Sequence, residues 1–126
     1  MSVNLANNNR VTDEGLSALE GAKKLETLNL NGTPITSRGA ARLASLTGVK
    51  YLNLCVPSLG DSDLLVFKNL PELYALEISS TQIGDAGLKN LNGCNSLRTL
   101  YVSQTNVTDE GVTALKSALP QLDIKR

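Results

Sequence analysis

Residues 97–112 read LRTLYVSQTNVTDEGV, and their schedule of apolar and polar positions recurs through the chain. Within the first six, Leu97, Leu100 and Val102 are apolar at places one, four and six. Counting back 24 residues at a time finds LYALEI at 73–78, VKYLNL at 49–54 and LETLNL at 25–30. An incomplete copy opens the chain at Val3-Asn4-Leu5, and another begins at Leu122 and runs out at Ile124. The second half of the unit repeats as well. Five residues past the sixth place stand Ile35, Leu59, Ile83 and Val107, followed by a short polar segment. Apolar residues then return at Leu43, Phe67, Leu91 and Leu115, and again at Leu46, Leu70, Cys94 and Leu119. The front fragment keeps the schedule with Val11, Leu16 and Leu19. A fixed period of this length is the mark of a stacked array.

Two periods coexist inside each unit. Leu28-Asn29-Leu30 and its copies alternate apolar with polar, as a strand with one buried face does. From Ser37 to Leu46 the apolar residues fall three or four apart, as on a short helix. Asp13, Ser37, Asp61, Asp85 and Asp109 occupy the expected N-cap of that helix, where a side-chain oxygen accepts from free backbone N–H groups. Each unit is thus predicted as strand, turn and returning helix, with neighbouring strands in one parallel sheet. The predicted division is a single domain over 1–126: a partial unit 1–24, units 25–48, 49–72, 73–96 and 97–121, and a closing segment 122–126. Asn31-Gly32 would elsewhere signal a hairpin, but the segment after it is helical in every copy.

The composition narrows the function. Twelve basic residues balance twelve acidic ones, whereas a nucleic-acid binder draws its affinity from a basic surplus. No apolar stretch approaches the roughly 20 residues that span a bilayer, and no charged-then-apolar leader opens the chain. The compartment stays open, with a lean toward the cytoplasm. There is no histidine, so the commonest general base and zinc ligand is missing.

The pattern L-x-x-L-x-L-x-x-T-x-I-T-D-x-G-L, best kept at 97–112 and 73–88, resembles the leucine-rich repeat family in its cysteine-containing or ribonuclease-inhibitor-like branch. The resemblance covers nearly the whole chain. It implies an α/β right-handed solenoid of about five repeats, a horseshoe arc with a parallel concave sheet and helices on the convex side. It also implies protein binding, as in scaffolds, substrate-recognition arms of ubiquitin ligases, bacterial effectors and surface receptors. The sequence departs from the family at its ninth place, where Asn or Cys is replaced by Thr33, Thr81 and Thr105, and by Pro57 in the third unit. The turn Cys55–Leu59 is therefore expected to be irregular. An extra residue in Asn7-Asn8-Asn9-Arg10 predicts a bulged first turn.

The polar members of the strands should line up on the concave side in columns about 5 Å apart. They read Thr27, Tyr51, Ala75, Thr99; then Asn29, Asn53, Glu77, Tyr101; then Asn31, Cys55, Ser79, Ser103; and at the rim Glu26, Lys50, Tyr74, Arg98. All three tyrosines lie on these columns, and Tyr and Arg are enriched where interfaces concentrate their energy. Tyr51, Tyr74, Tyr101 and Arg98, with Glu77, Asn29, Asn53 and Thr99 around them, form the candidate partner-binding patch. Tyr is also simply a good strand residue.

Other features read as structural. The aspartate column could in principle hold Ca²⁺, but capping already accounts for it and Ser37 interrupts it. Cys94 takes a core position, and Cys55 an outward one with no histidine to activate it. The glycosylation sequon Asn106-Val107-Thr108 falls inside the ordinary turn of the repeat. No cofactor, metal or catalytic residue is expected. The C-terminus closes with the charged Asp123-Ile124-Lys125-Arg126, while Val3 and Leu5 should face the core at an end without a cap. Two readings of that end stay open: a piece of a longer repeat protein, or self-association of two chains through it. The expected function is a protein-binding module; the alternative is a C-terminal recognition or regulatory segment of a larger enzyme or effector, such as the substrate arm of a ubiquitin ligase.

Overall fold

The computed structural model describes residues 1–126. Six three-residue strands, β1 (Ser2–Asn4), β2 (Thr27–Asn29), β3 (Tyr51–Asn53), β4 (Ala75–Glu77), β5 (Thr99–Tyr101) and β6 (Asp123–Lys125), form one parallel sheet in chain order. The register places Val3, Leu28, Leu52, Leu76, Leu100 and Ile124 side by side. Each junction is a one-unit step of the sequence, so residues with the same role always meet. Thirty buried apolar side chains form one continuous cluster, with Val3, Leu5 and Ile124 half-buried against its ends. This is the stacked parallel-sheet array that the periodicity implies, and its α/β build is the one expected from the resemblance to leucine-rich repeats.

The returning segments differ more than the repeat suggests. Helices α1 (Ser37–Arg42), α2 (Asp85–Lys89) and α3 (Asp109–Ala118) are α-helical, but Gly15–Leu19 and Asp61–Asn69 are 3₁₀, and α1 ends in a 3₁₀ turn at Leu43–Ser45. Side chains three apart eclipse on a 3₁₀ helix. The buried pairs Leu43/Leu46 and Phe67/Leu70 have that spacing and close in tight turns. In the fifth unit the extra residue moves the pair to Leu115 and Leu119, four apart, and α3 stays α-helical for ten residues.

The capping residues are a correction to the sequence reading. The N-caps are Thr36, Gly60, Gly84 and Thr108, one residue before the expected Ser37, Asp61, Asp85 and Asp109. The aspartates reach across the junction instead. Asp13 accepts from the Thr36 N–H at 2.7 Å and its hydroxyl at 2.5 Å. Asp61 accepts from the Gly84 N–H at 2.7 Å. Asp85 accepts from the Thr108 N–H at 2.8 Å and its hydroxyl at 2.6 Å. Each aspartate thus satisfies a free donor at the next unit's helix start. Arg126 closes the series by pairing with Asp109, and its guanidinium also donates to the Val107 carbonyl at 3.1 Å.

A glycine in the following helix makes room for each clip. A Cβ built on Gly39 would lie 2.4 Å from Asp13 Oδ1; on Gly87, 2.6 Å from Asp61 Oδ1; on Gly111, 2.0 Å from Asp85 Oδ1. The one junction whose accepting position is not aspartate, at Ser37, has Asp63 in place of that glycine. Asp63 Oδ2 accepts from the Gly60 N–H at 2.8 Å, doing from within the unit what its neighbours do from outside.

The Thr36 and Thr108 hydroxyls, donating to Asp13 and Asp85, hold both carboxyls below their ordinary value of 3.8. A carboxylate depressed by folding contributes stability above its unfolded value and loses it as pH falls through the folded one. Urea-denaturation midpoints should therefore hold steady from neutrality until pH nears 3.8, then decline. The Asp13→Asn/Asp85→Asn variant should start lower and decline less steeply; an equal acid slope in both proteins would show that these clips are not titrating.

The expected turn irregularities are present. Thr33, Thr81 and Thr105 donate their hydroxyls to the carbonyls of Leu30, Ile78 and Val102 at 2.7–2.8 Å. Gly32, Ser80 and Gln104 take positive φ just before them. Gly32 and Ser80 then send their N–H groups on to the next unit's Cys55 and Ser103 carbonyls. Val56 is β-branched and precedes Pro57, which disfavours that conformation. Its N–H turns back to Leu54 O at 2.9 Å, its side chain is buried, and the ladder skips one rung. The first turn carries its extra residue with Asn7 at φ 58°.

Candidate binding face

The strands present alternate side chains to the core and to the concave side, so a flat three-residue strand offers two outward places per unit. Seven of the eight candidate residues line one shallow hollow of about 370 Å³: Asn29, Tyr51, Asn53, Tyr74, Glu77, Thr99 and Tyr101. Its floor includes Ala75, which sits in register between Tyr51 and Thr99. Tyr51 and Tyr74 are about half exposed and Tyr101 is 36% exposed. The Tyr51 and Tyr74 rings meet at a tilt of 56° with centroids 6.0 Å apart, an arrangement aromatic pairs favour.

Arg98 stands apart from this group. Its guanidinium donates to the carbonyls of Asn95 at 2.8 Å and Leu97 at 3.0 Å. It faces a second hollow of about 300 Å³ that includes Leu119 and Pro120. The repeat schedule puts Arg98 just before β5, and the structure turns its long side chain away from the tyrosines.

The middle column has a local task that sequence reasoning missed. Asn29 Oδ1 accepts from the Asn31 N–H at 3.0 Å, Asn53 Oδ1 from Cys55 N–H at 3.2 Å, and Glu77 Oε1 from Ser79 N–H at 2.9 Å. These i to i+2 bonds turn the chain where the strand ends. The signal was available as a short polar acceptor recurring at the last strand residue. Tyr101 occupies this place in the fifth unit, and the Ser103 N–H takes Ser79 Oγ at 3.1 Å instead.

The electrostatics are mostly self-contained. Lys50 Nζ pairs with Glu26 at 2.9 Å, raising the lysine and lowering the glutamate. Lys125 pairs with Asp123 at 3.0 Å, which raises Lys125. Cys55 is half-buried, and burial followed by the nearby Glu77 carboxylate pushes its thiol up to about 12. Burial raises Cys94 to about 11, against a smaller opposing pull from Lys68. Neither thiol is activated as a nucleophile.

A leucine-rich repeat family model matches residues 1–19, 21–44, 73–91 and 93–116. The chain belongs to the leucine-rich repeat family. The match passes over 45–72, the stretch that carries Pro57, Asp63 and the long 3₁₀ return. No curated protein matches the sequence significantly. Among solved structures, this repeat domain is similar to an internalin of Listeria monocytogenes, with TM-score 0.53 and 20% identity, over 82% of this chain and 35% of that one. A leucine-rich repeat protein of Leptospira interrogans gives TM-score 0.65 and 18% identity, over 94% and 28%. Leiomodin-1 actin-binding site 2 gives TM-score 0.57 and 17% identity, over 98% and 68%. At these identities the likeness is one of fold, and the chain spans about a third of the first two proteins. No helix of the repeat domain is long and apolar enough to cross a membrane.

Proposed function

We propose that this repeat domain is a recognition module that binds a protein partner on its concave sheet, and that it is not itself an enzyme. The observation that carries the reading is the placement of the three tyrosines. Five large apolar side chains are exposed, and three of them are Tyr51, Tyr74 and Tyr101 around one hollow. Tyrosine is the residue type that interfaces use to bury area at small entropic cost. The face is built on paired strands, so its side chains are presented in fixed columns with little ordering left to be done on binding. Binding rather than catalysis is supported by the missing histidine, the two inert thiols and a hollow with one carboxylate where a glycoside hydrolase uses two. Leiomodin-1 actin-binding site 2 offers one precedent for a protein partner on a similar fold.

The test compares capture of a partner by wild type, by Tyr51→Ala/Tyr101→Ala, and by the convex control Lys89→Ala. The tyrosine pair should weaken binding at least about tenfold, since interface tyrosines commonly carry a kcal/mol or more each. The control should bind as wild type, and both variants should melt cooperatively. Full retention by the tyrosine variant would move the binding site off this face.

A further inference from the structure

The concave hollow carries one charge that the domain leaves unanswered. Its ion pairs join Arg42 to Glu20, Lys50 to Glu26, Lys125 to Asp123 and Arg126 to Asp109. Glu77 takes part in none of them. It stands on β4 in register between Asn53 and Tyr101, and Oε1 is held by the Ser79 N–H at 2.9 Å. The basic residues that share this face are committed elsewhere: Lys50 and Lys125 to their own carboxylates, and Arg98 to two loop carbonyls beside the other hollow.

The apolar surroundings complete the site. Ala75 lies one outward place before Glu77 on the same strand, and its small side chain leaves the floor low. Tyr51 flanks Ala75 on one neighbouring strand and Tyr101 flanks Glu77 on the other, so the two rings stand diagonally across β4. The hollow of about 370 Å³ is equivalent to roughly a dozen waters at about 30 Å³ each. That is room for one long side chain laid across the strands. Such a side chain needs an apolar stem for the tyrosine faces and a cationic head for the carboxylate. Tyrosine faces attract cations, and a carboxylate accepts charge-assisted hydrogen bonds from them.

We propose that the hollow takes the cationic side chain of an arginine or lysine projecting from the protein partner, with Glu77 as its counter-charge and Tyr51 and Tyr101 as its walls. The proposal rests on the concave-face reading and sharpens it. The partner segment should present one basic residue to β4, and its neighbours should carry no acidic residue that would meet Glu77.

A random dodecapeptide library displayed on phage, panned against the full 126-residue chain, tests it. Recovered peptides should be enriched in arginine or lysine at one position, and their identities distinguish the two heads. For a selected peptide, Glu77→Gln should weaken binding about tenfold, the scale of one charge-assisted contact. Gln keeps an acceptor oxygen for the Ser79 N–H, so the fold is preserved. Replacing the basic residue by norleucine should cost the wild type the same factor and cost Glu77→Gln little. Peptides that lose binding in Tyr51→Ala/Tyr101→Ala yet show no basic bias, or ignore Glu77→Gln, would overturn this inference and leave the concave face standing. Peptides indifferent to the tyrosines as well, or a selection that recovers nothing, would count against both.

Discussion

Gly87→Asp, introduced alone, should destabilise the domain by about 3 kcal/mol, and adding Asp61→Ser and Ile83→Leu should return most of that loss. The new Cβ would lie 2.6 Å from Asp61 Oδ1 and 2.8 Å from Ile83 Cγ2, in a position that is buried. Asp61 cannot withdraw without releasing the Gly84 N–H, and two carboxylates would compete for one donor. The chain already holds the alternative solution one junction earlier. There Ser37, Leu59 and Asp63 take the places of Asp61, Ile83 and Gly87, and Asp63 caps Gly60 from within its own unit. Gly60 and Gly84 are the same residue in the same role, so the triple variant copies a junction known to close. Residues sharing one hydrogen-bond network should couple by 0.5–3 kcal/mol or so in such a cycle. Urea denaturation of the singles, doubles and triple measures it. Additive losses, with the triple the least stable of all, would show that aspartate and glycine do not act as a pair.

Leu76→Ala should cost about 4 kcal/mol, while Leu19→Ala costs nearer 1 kcal/mol or so. Leu76 has no exposed surface and lies between Leu52 and Leu100 in the middle of the sheet, with a paired strand on each side. Leu19 packs against the same core but is only half-buried at its first unit, where the surroundings can relax. A total stability of 5–15 kcal/mol is usual for a domain, so the central change alone removes a large share. In an array held by neighbour contacts, the damage should also localise. Hydrogen exchange should speed first at Leu54, Ile78 and Val102, whose N–H groups bond across the adjacent strands. Equal losses from the two substitutions would contradict a core whose tightness depends on position along the array.

How much of this was legible before the fold was known differs by residue. Leu28, Leu52, Leu76 and Leu100 could be aligned on paper because the 24-residue step leaves only one register that keeps every apolar side chain inward. The outward columns followed from the same alternation, which is why Tyr51, Tyr101 and Glu77 were found together. The irregular turn at Pro57 was also readable, since a proline has no donor and restricts the residue before it. The aspartate–glycine pairing was written in the chain too, as Gly39, Gly87 and Gly111 following Asp13, Asp61 and Asp85, with Asp63 after Ser37. It was missed because capping within a unit explained the aspartates without reference to their neighbours.

The sequence by itself determined the stacking, the strand register and the membership of the core, because burying an apolar face admits only one period and one phase. Only the tertiary structure decided where the polar groups went. Asp61 reaches Gly84 rather than its own helix, Arg98 turns to Asn95 and Leu97, and the Asp61–Asn69 segment tightens to 3₁₀. Apolar burial is summed over many residues and tolerates small displacements, so a pattern suffices to read it. A hydrogen bond is won by whichever donor stacking brings within about 3 Å, and a shift of one residue changes the winner.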